Sequence, residues 1–388
     1  MADRQGGARP LRIALITSSY DYIKDGVALT LNRLVAYLES QGAQVLVFAP
    51  TSATPAFTPA GSVIYVPSIA MPGRPEYRIA LGMPKAVRQR LKEFDPDIMH
   101  IAVPDLLGRR ALKLAAQLRI PVVATYHTRY EAYLKHYWYL SPLTGALTAY
   151  LKRFYGACRE VYVPSASMAD VLRADGLKDN FRLWPRGIDA ARFHPAKRSM
   201  EWRARHGIGP SEIVIAHVSR LVREKRTDVL AAALRQLQAM GVAHKVLIVG
   251  DGPERGALQA LLPHAVFTGA LDGEELATAY ASSDLFFFPS ETESFGNVTL
   301  EAMASGLPSI CADATGSRSL VDAGVTGFMA VPGRVSQFAD FIARLANDAD
   351  LRAKMGAAAR ERALGFGWDK TMARILGYYR DVLAADAL

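Results

Sequence analysis

Short apolar runs bounded by turn residues recur along this chain, and stretches with apolar positions every three to four residues lie between them. Leu11–Thr17 (L-R-I-A-L-I-T) reads as a buried strand. Leu29–Gln41 then places Leu31, Leu34, Val35 and Leu38 at helical spacing, with Gly42 as its C-terminal cap and Val45–Phe48 as a second strand. This strand–helix–strand unit is of the parallel, doubly wound kind. It continues with strands expected at Val63–Val66, Ile98–Ile101, Val122–Thr125 and Val161–Val163. The pattern breaks around 185–200, in the turn-rich W-P-R-G-I-D-A-A-R-F-H-P, which reads as a link between domains. A second series follows, with strands at Ile213–Val218, Lys245–Val249, Val266–Phe267, Leu285–Pro289, Ser309–Cys311 and Gly327–Val331. Helices such as Thr227–Met240 and Asn297–Ser305 alternate with them, and Trp368–Ala385 forms a last helix. The fold class is therefore α/β, with two tandem Rossmann-like doubly wound domains. Such domains bind ligands at the carboxyl ends of their strands, so two of them facing each other would enclose a cleft.

Composition narrows the picture. The chain has 388 residues, half of them hydrophobic, enough for two cores. No apolar run approaches a membrane span, and the N-terminus lacks the apolar segment of a signal peptide. Cys158 and Cys311 have no metal or redox spacing and read as core thiols in a reducing, cytoplasmic setting. The net charge of +9 is one-sided: residues 1–195 hold 25 Lys and Arg against 15 Asp and Glu, and the remainder hold 21 against 22. Within the basic half, Arg78, Lys85, Arg88, Arg90 and Lys92 interleave with Ile79, Leu81, Met83, Val87 and Leu91, as in a basic amphipathic helix. An ordinary solvated face is the plain alternative. A surface attracted to anionic membrane is the functional one, with the aromatic stretch Tyr130, Tyr133, Tyr137, Trp138 and Tyr139 beside it or in the core.

The strongest chemical signal is P-S-E-T-E-S-F-G-N-V-T-L-E-A-M-A-S-G-L-P, Pro289–Pro308, which follows a strand and opens a helix. Glu293 and Glu301 are separated by seven residues, with Glu301 expected about two turns along. Phe295, Gly296, Asn297 and Val298 would offer backbone N–H groups at a helix N-terminus, a ready phosphate site. A second signal is V-S-R-L-V-R-E-K-R, Val218–Arg226. Cations near a helix start oppose the dipole, a poor arrangement unless an anion is bound there. G-D-G-P-E-R-G, Gly250–Gly256, misses the dinucleotide fingerprint because its third glycine comes one residue late and Pro253 removes a donor. Asp95 and Asp97 precede a strand rather than ending one, so they read as a helix-to-strand turn, and no metal site is expected.

These motifs, in this order, resemble the retaining glycosyltransferases of family 4, whose fold is GT-B. The resemblance covers nearly the whole chain and is nearest to bacterial members with lipid acceptors, such as glycolipid mannosyltransferases and sulfoquinovosyl-diacylglycerol synthases. It implies that Glu293 contacts the donor sugar, Glu301 the nucleotide ribose, and the backbone after Gly296 the diphosphate, with Arg220 and Lys225 neutralising the leaving group. Gly252 and Pro253 would flank the base. Gly26 and Val27, in the loop Tyr20–Thr30, would line donor and acceptor, although Asp25 stands where many members have a second glycine. His127, in A-T-Y-H-T-R-Y, would sit near the reacting centre, and Arg186–Asp189 would line the cleft.

The expected function is transfer, with retention, of a hexosyl unit from a GDP- or UDP-sugar, mannosyl favoured, to a lipid or glycolipid hydroxyl. It needs no cofactor or metal and no nucleic acid, and it takes place on the cytoplasmic face of the membrane. The domains are expected at 1–190 and 191–369, with 370–388 packing back on the first. A sugar-nucleotide epimerase on the same fold, an NAD-type oxidoreductase and a non-catalytic membrane-binding module are the alternatives.

Overall fold

The computed structural model describes residues 9–51, 55–72, 74–127 and 144–386. Two compact units divide the chain. One comprises Met1–Pro164, Ala169–Trp184 and Asp369–Leu388, the other Ser165–Met168 and Pro185–Trp368.

The first unit contains β1 (Arg12–Ile16), β2 (Gln44–Pro50), β3 (Ser62–Val66), β4 (Ser68–Met71), β5 (Arg74–Ala80), β6 (Ile98–Ile101), β7 (Val122–Thr125), β8 (Glu160–Val163) and β9 (Phe181–Leu183). Its sheet runs β3-β2-β1-β6-β7-β8-β9, and every pairing is parallel. The helix Gly26–Ser40 and the turn at Gly42 (φ +82°) follow the sequence pattern. Asp95 and Asp97 form a turn between helix and strand. Arg9 bonds both carboxylates (3.0 and 2.9 Å), and Asp97 also accepts from the Arg12 amide (2.8 Å).

The basic stretch differs from the expected single helix. Arg78 lies on β5, which pairs antiparallel with β4 in a separate hairpin, and only Lys85–Phe94 is helical. Gly82 (φ +104°) and Pro84 break the segment between them, since neither continues a helix. Arg78 donates to the Ser68 hydroxyl and carbonyl across the hairpin (2.8 and 3.0 Å). The hairpin and β9 had no signal in the apolar spacing. The aromatic stretch 130–139 lies outside the described residues.

The second unit contains β10 (Val214–Val218), β11 (Lys245–Val249), β12 (Val266–Gly269), β13 (Leu285–Phe288), β14 (Ser309–Ala312) and β15 (Gly327–Ala330). Their order is β12-β11-β10-β13-β14-β15, again parallel throughout. Both faces are covered, which is why strands such as L-F-F-F carry no polar alternation. Phe286 and Phe288 enter one core with Ala216, Val218 and Leu247, whereas Leu285 and Phe287 enter the opposite core with Ile215 and Ile248. The strand order reverses between β10 and β13, so the loops leaving these two strands diverge over opposite faces and open a crevice.

The C-terminal helix Trp368–Asp386 belongs mainly to the first unit. Its Tyr379 hydroxyl bonds His100 Nδ1 (2.6 Å), and His100 Nε2 meets the Thr125 hydroxyl, so a neutral, fully buried imidazole ties this helix to β6 and β7. Burial pushes the His100 pKa down to about 3. A His pKa depressed on folding contributes stability that is complete above the unfolded value near 6.5 and is lost as pH falls towards 3. The stability of the protein should therefore fall between pH 6.5 and 4 more steeply than that of His100→Gln. The excess slope should be at most about 1.4 kcal/mol per pH unit, read from urea midpoints.

Candidate active site

Leu285–Phe288 delivers the chain to the sheet edge, where the loop Pro289–Gly296 leads into the helix Asn297–Ala304. Gly296 occupies the N-cap position at φ +100°, a conformation that side chains resist, and no side chain caps the helix. The first-turn amides therefore keep their donors for a ligand. The Phe295 ring turns into the core, 5.9 Å from that of Phe366, leaving its backbone at the surface of the site. Glu301 stands one turn into this helix rather than two, because the helix starts at Asn297. Burial raises its carboxyl to about 7, against the lowering effect of the hydrogen bond from the Tyr280 hydroxyl (3.1 Å).

The loop after β10 lies alongside. Ser219 is held by His217 (Nε2 to Oγ, 2.8 Å), Arg220 is exposed, and a short 3₁₀ turn, Arg223–Lys225, precedes the helix Thr227–Ala239. This loop rests directly on Gly250–Pro253. A Cβ on Gly250 would stand 1.8 Å from the Ser219 carbonyl oxygen, and one on Gly252 2.4 Å from that of Leu221. Backbone bonds Leu221 N to Asp251 O (2.8 Å) and Glu254 N to Leu221 O (3.0 Å) complete the contact. Gly252 and Pro253, expected beside a base, do not line the cavity described next. The close backbone approach requires glycine at both positions.

A cavity of about 280 Å³ opens where the two loops converge. Arg220 and Lys225 line it from one loop, Glu293 and the backbone of Phe295–Val298 from the other, all within the second unit. Lys225 forms an ion pair with Glu293, which also accepts from the Ser290 hydroxyl (3.3 Å), and its ammonium lies 5.9 Å from the centre of the Phe288 ring. The Arg220 guanidinium has no hydrogen-bond or ion-pair partner among the described residues, although its carbonyl accepts from the Ser219 hydroxyl (3.0 Å). Arg186 also lines the cavity, whereas Asp189 accepts from the Arg192 amide (3.0 Å). Ser219, Phe288 and Ser294 complete its wall. They were missed because single serines and a strand phenylalanine carry no spacing signal. Gly316 was missed too: its Cβ would lie 2.6 Å from that of Glu293, so it sets how closely the next helix packs behind the loop.

Gly26, Val27 and His127 belong to the first unit. Gly26 opens the helix after β1, and the Asp25 carboxylate caps it, accepting from the Ala28 amide (2.7 Å) and the Ser19 hydroxyl (2.9 Å). That helix start thus already holds an anion, which accounts for aspartate in place of a second glycine. His127 follows β7, its ring 5.9 Å from that of Trp184.

Two adjacent glycosyltransferase families match in tandem: "Glycosyltransferase Family 4" over residues 24–192 and "Glycosyl transferases group 1" over 199–362. A GDP-mannose-dependent alpha-mannosyltransferase of Corynebacterium glutamicum is 35% identical over 97% of this chain and 90% of its own length. Sulfoquinovosyl transferase SQD2 of Arabidopsis thaliana is 32% identical over 97% of this chain and 74% of its own. Alpha-monoglucosyldiacylglycerol synthase of Streptococcus pneumoniae is 30% identical over 77% and 70%. Among solved structures, sucrose-phosphate synthase of Thermosynechococcus elongatus superposes with a TM-score of 0.78 at 23% identity, covering 97% of this chain and all of that one. The chain belongs to the family 4 glycosyltransferases, of GT-B fold. Membership decides for a transferase over an oxidoreductase or a non-catalytic module.

Glu301 supplies a pH test of opposite sign to that of His100. A carboxyl raised on folding binds a proton in the native state that the unfolded chain has released, so its contribution is lost as pH rises from about 4.5 through 7. Glu301→Gln should therefore gain stability relative to the parent as pH rises from 5 to 8, by up to about 1.4 kcal/mol per unit in that window. A difference independent of pH would mean that Glu301 titrates normally.

Proposed function

We propose that this enzyme transfers a hexosyl unit, with retention, from a nucleotide diphosphate-sugar to a hydroxyl of a membrane lipid or glycolipid. The observation that carries the donor side is the convergence of Arg220, Lys225 and an uncapped helix N-terminus on one cavity at a sheet's switch point. Both cations and the amides of Gly296–Val298 would bind the diphosphate, Glu293 the sugar hydroxyls and Glu301 the ribose. The positive groups stabilise charge that develops on the leaving diphosphate, and they take the place of a metal ion. The acceptor oxygen bonds to the anomeric carbon on the face from which the phosphate leaves, and the acceptor proton passes to the departing phosphate oxygen. Glu293, held by Lys225, would orient the sugar rather than attack it. Gly26, Val27 and His127 would serve the acceptor side and the reacting centre.

A mannosyl donor is favoured by the mannosyltransferase relative, and a lipid acceptor by the diacylglycerol named for another. Among the described residues no helix is long and apolar enough to cross a membrane. We place the enzyme peripherally on the cytoplasmic face. Exposed Leu81 and the side chains of Lys85 and Arg88 supply apolar and basic surface on the first unit. Arg110 joins them, its Cγ 3.8 Å from where a Gly82 Cβ would stand.

Unfolding midpoints with equal concentrations of GDP, UDP, ADP and NAD test the donor side, since a ligand of the folded state alone raises the midpoint. A rise with GDP or UDP is expected, and a rise with NAD alone would overturn the reading. Arg220→Ala and Lys225→Ala should each lower turnover by roughly a hundredfold with little change in stability. Normal turnover in both would defeat the proposed roles. Neutralising Lys85, Arg88 and Arg110 together should weaken binding to vesicles rich in anionic phospholipid by roughly a hundredfold, at about 1 kcal/mol per cation, while leaving the nucleotide-induced midpoint shift intact. Unchanged vesicle binding would remove this surface from the proposal.

A further inference from the structure

We infer that Arg226 is a positioning residue that clips the loop after β13 to the loop after β10 and thereby sets how Lys225 and Glu293 meet the donor. The inference rests on the donor-site reading above and assigns a role to residues outside the cavity wall.

Among the described residues, three that are not glycine hold a positive φ: Asp95, Arg119 and Arg226. Asp95 and Arg119 close helices, where a left-handed residue is the usual terminator. Arg226, at φ 55° and ψ 48°, closes the 3₁₀ turn Arg223–Lys225, its amide donating to the Arg223 carbonyl (2.9 Å), and at the same time opens the helix Thr227–Ala239, where an extended residue is usual. The side chain therefore leaves from the joint between two helical segments, and its partners fix where that joint sits. Its guanidinium forms an ion pair with Glu291, and Asp228 fixes the same group (Nε to Oδ1 3.1 Å, Nη2 to Oδ2 3.2 Å). Gly333 leaves room beside it, the nearest guanidinium nitrogen lying 3.7 Å from the position of a Cβ.

Two consecutive cations, Lys225 and Arg226, therefore meet two carboxylates two residues apart, Glu293 and Glu291. The Ser290 and Thr292 hydroxyls reach the Glu224 carbonyl between the same loops (3.5 and 3.4 Å). The two ion pairs face different demands. The inner pair must open when a diphosphate takes Lys225 and a sugar hydroxyl takes Glu293. The outer pair lines no part of the cavity and can stay closed. It then holds the loops in register while the inner groups change partners. Half-exposed pairs contribute little to global stability, so the clip should register in donor binding rather than in folding.

The experiment uses the full chain and measures calorimetric affinity for GDP-mannose and UDP-glucose, with unfolding midpoints alongside. Arg226→Gly and Glu291→Gln should each weaken the nucleotide-sugar that the parent binds by roughly tenfold, the scale of a small misplacement of binding groups. The double variant should bind no more weakly than either single one, because one contact is lost in all three. Arg226→Lys, which keeps the charge opposite Glu291, should recover most of the affinity. The Arg226→Gly midpoint should hold or rise, as glycine accepts the left-handed backbone. Parent-like affinity in the single variants, losses that multiply in the double, or no recovery with lysine would each overturn the clip. Lys225→Ala, measured in parallel, separates this from failure of the site itself. If it binds like the parent, or if the parent binds neither compound, the donor-site reading falls and the clip with it.

Discussion

Parallel pairing forces each strand to return by a crossover, and in the second unit the direction of winding reverses between β10 and β13. Everything placed at the candidate site follows from that reversal. Loops leaving neighbouring strands on the same side would bury one another, whereas here they part, and the gap between them is lined from both sides. The buried phenylalanines of β13 supply rigidity, since they pack into both cores and fix where the loop begins. The donors at the mouth of the gap are backbone amides and cations that already point inward, so little reorganisation is needed when charge arrives.

The site is also in electrostatic balance with itself. Lys225 is neutralised by Glu293, Arg226 by Glu291 and Asp228, and Arg220 stays exposed to water. A cavity with two unpaired cations beside a helix N-terminus would attract any passing anion. Pairing one of them with a carboxylate that prefers hydroxyls favours a ligand offering both diphosphate and sugar over one offering phosphate alone. The first unit treats its own helix start differently, filling it with Asp25.

Much of this was legible in the chain. Apolar runs such as Val214–Val218 and Leu285–Phe288 are unmistakable because strands buried on both faces carry almost no polar residues. Glu293, Gly296, Arg220 and Lys225 were legible because they sit at loop positions fixed by those strands. The roles that failed to show were set by distant backbone. The glycine at 252 answers to the Leu221 carbonyl, a contact across 31 residues that no local spacing announces. Arg78 belongs to a helical pattern by composition, but Gly82 and Pro84 divert it into a hairpin whose polar and apolar residues show no clean alternation. Arg226 carries no periodic signal, and its importance lies in a dihedral angle and in partners 65 and two positions distant.

The chain does not treat its two units as beads on a string. After a brief excursion at Ser165–Met168, it passes from the first to the second at Trp184 and Pro185, and returns at Trp368 and Asp369 to lay its last helix on the first sheet through Tyr379 and His100. No single cut can therefore release either unit intact. A truncation ahead of Asp369 would strip the first sheet of a covering helix and expose an imidazole that folding keeps dry. Any attempt to graft the second unit from a relative must accordingly keep the native terminal helix with the sheet it covers.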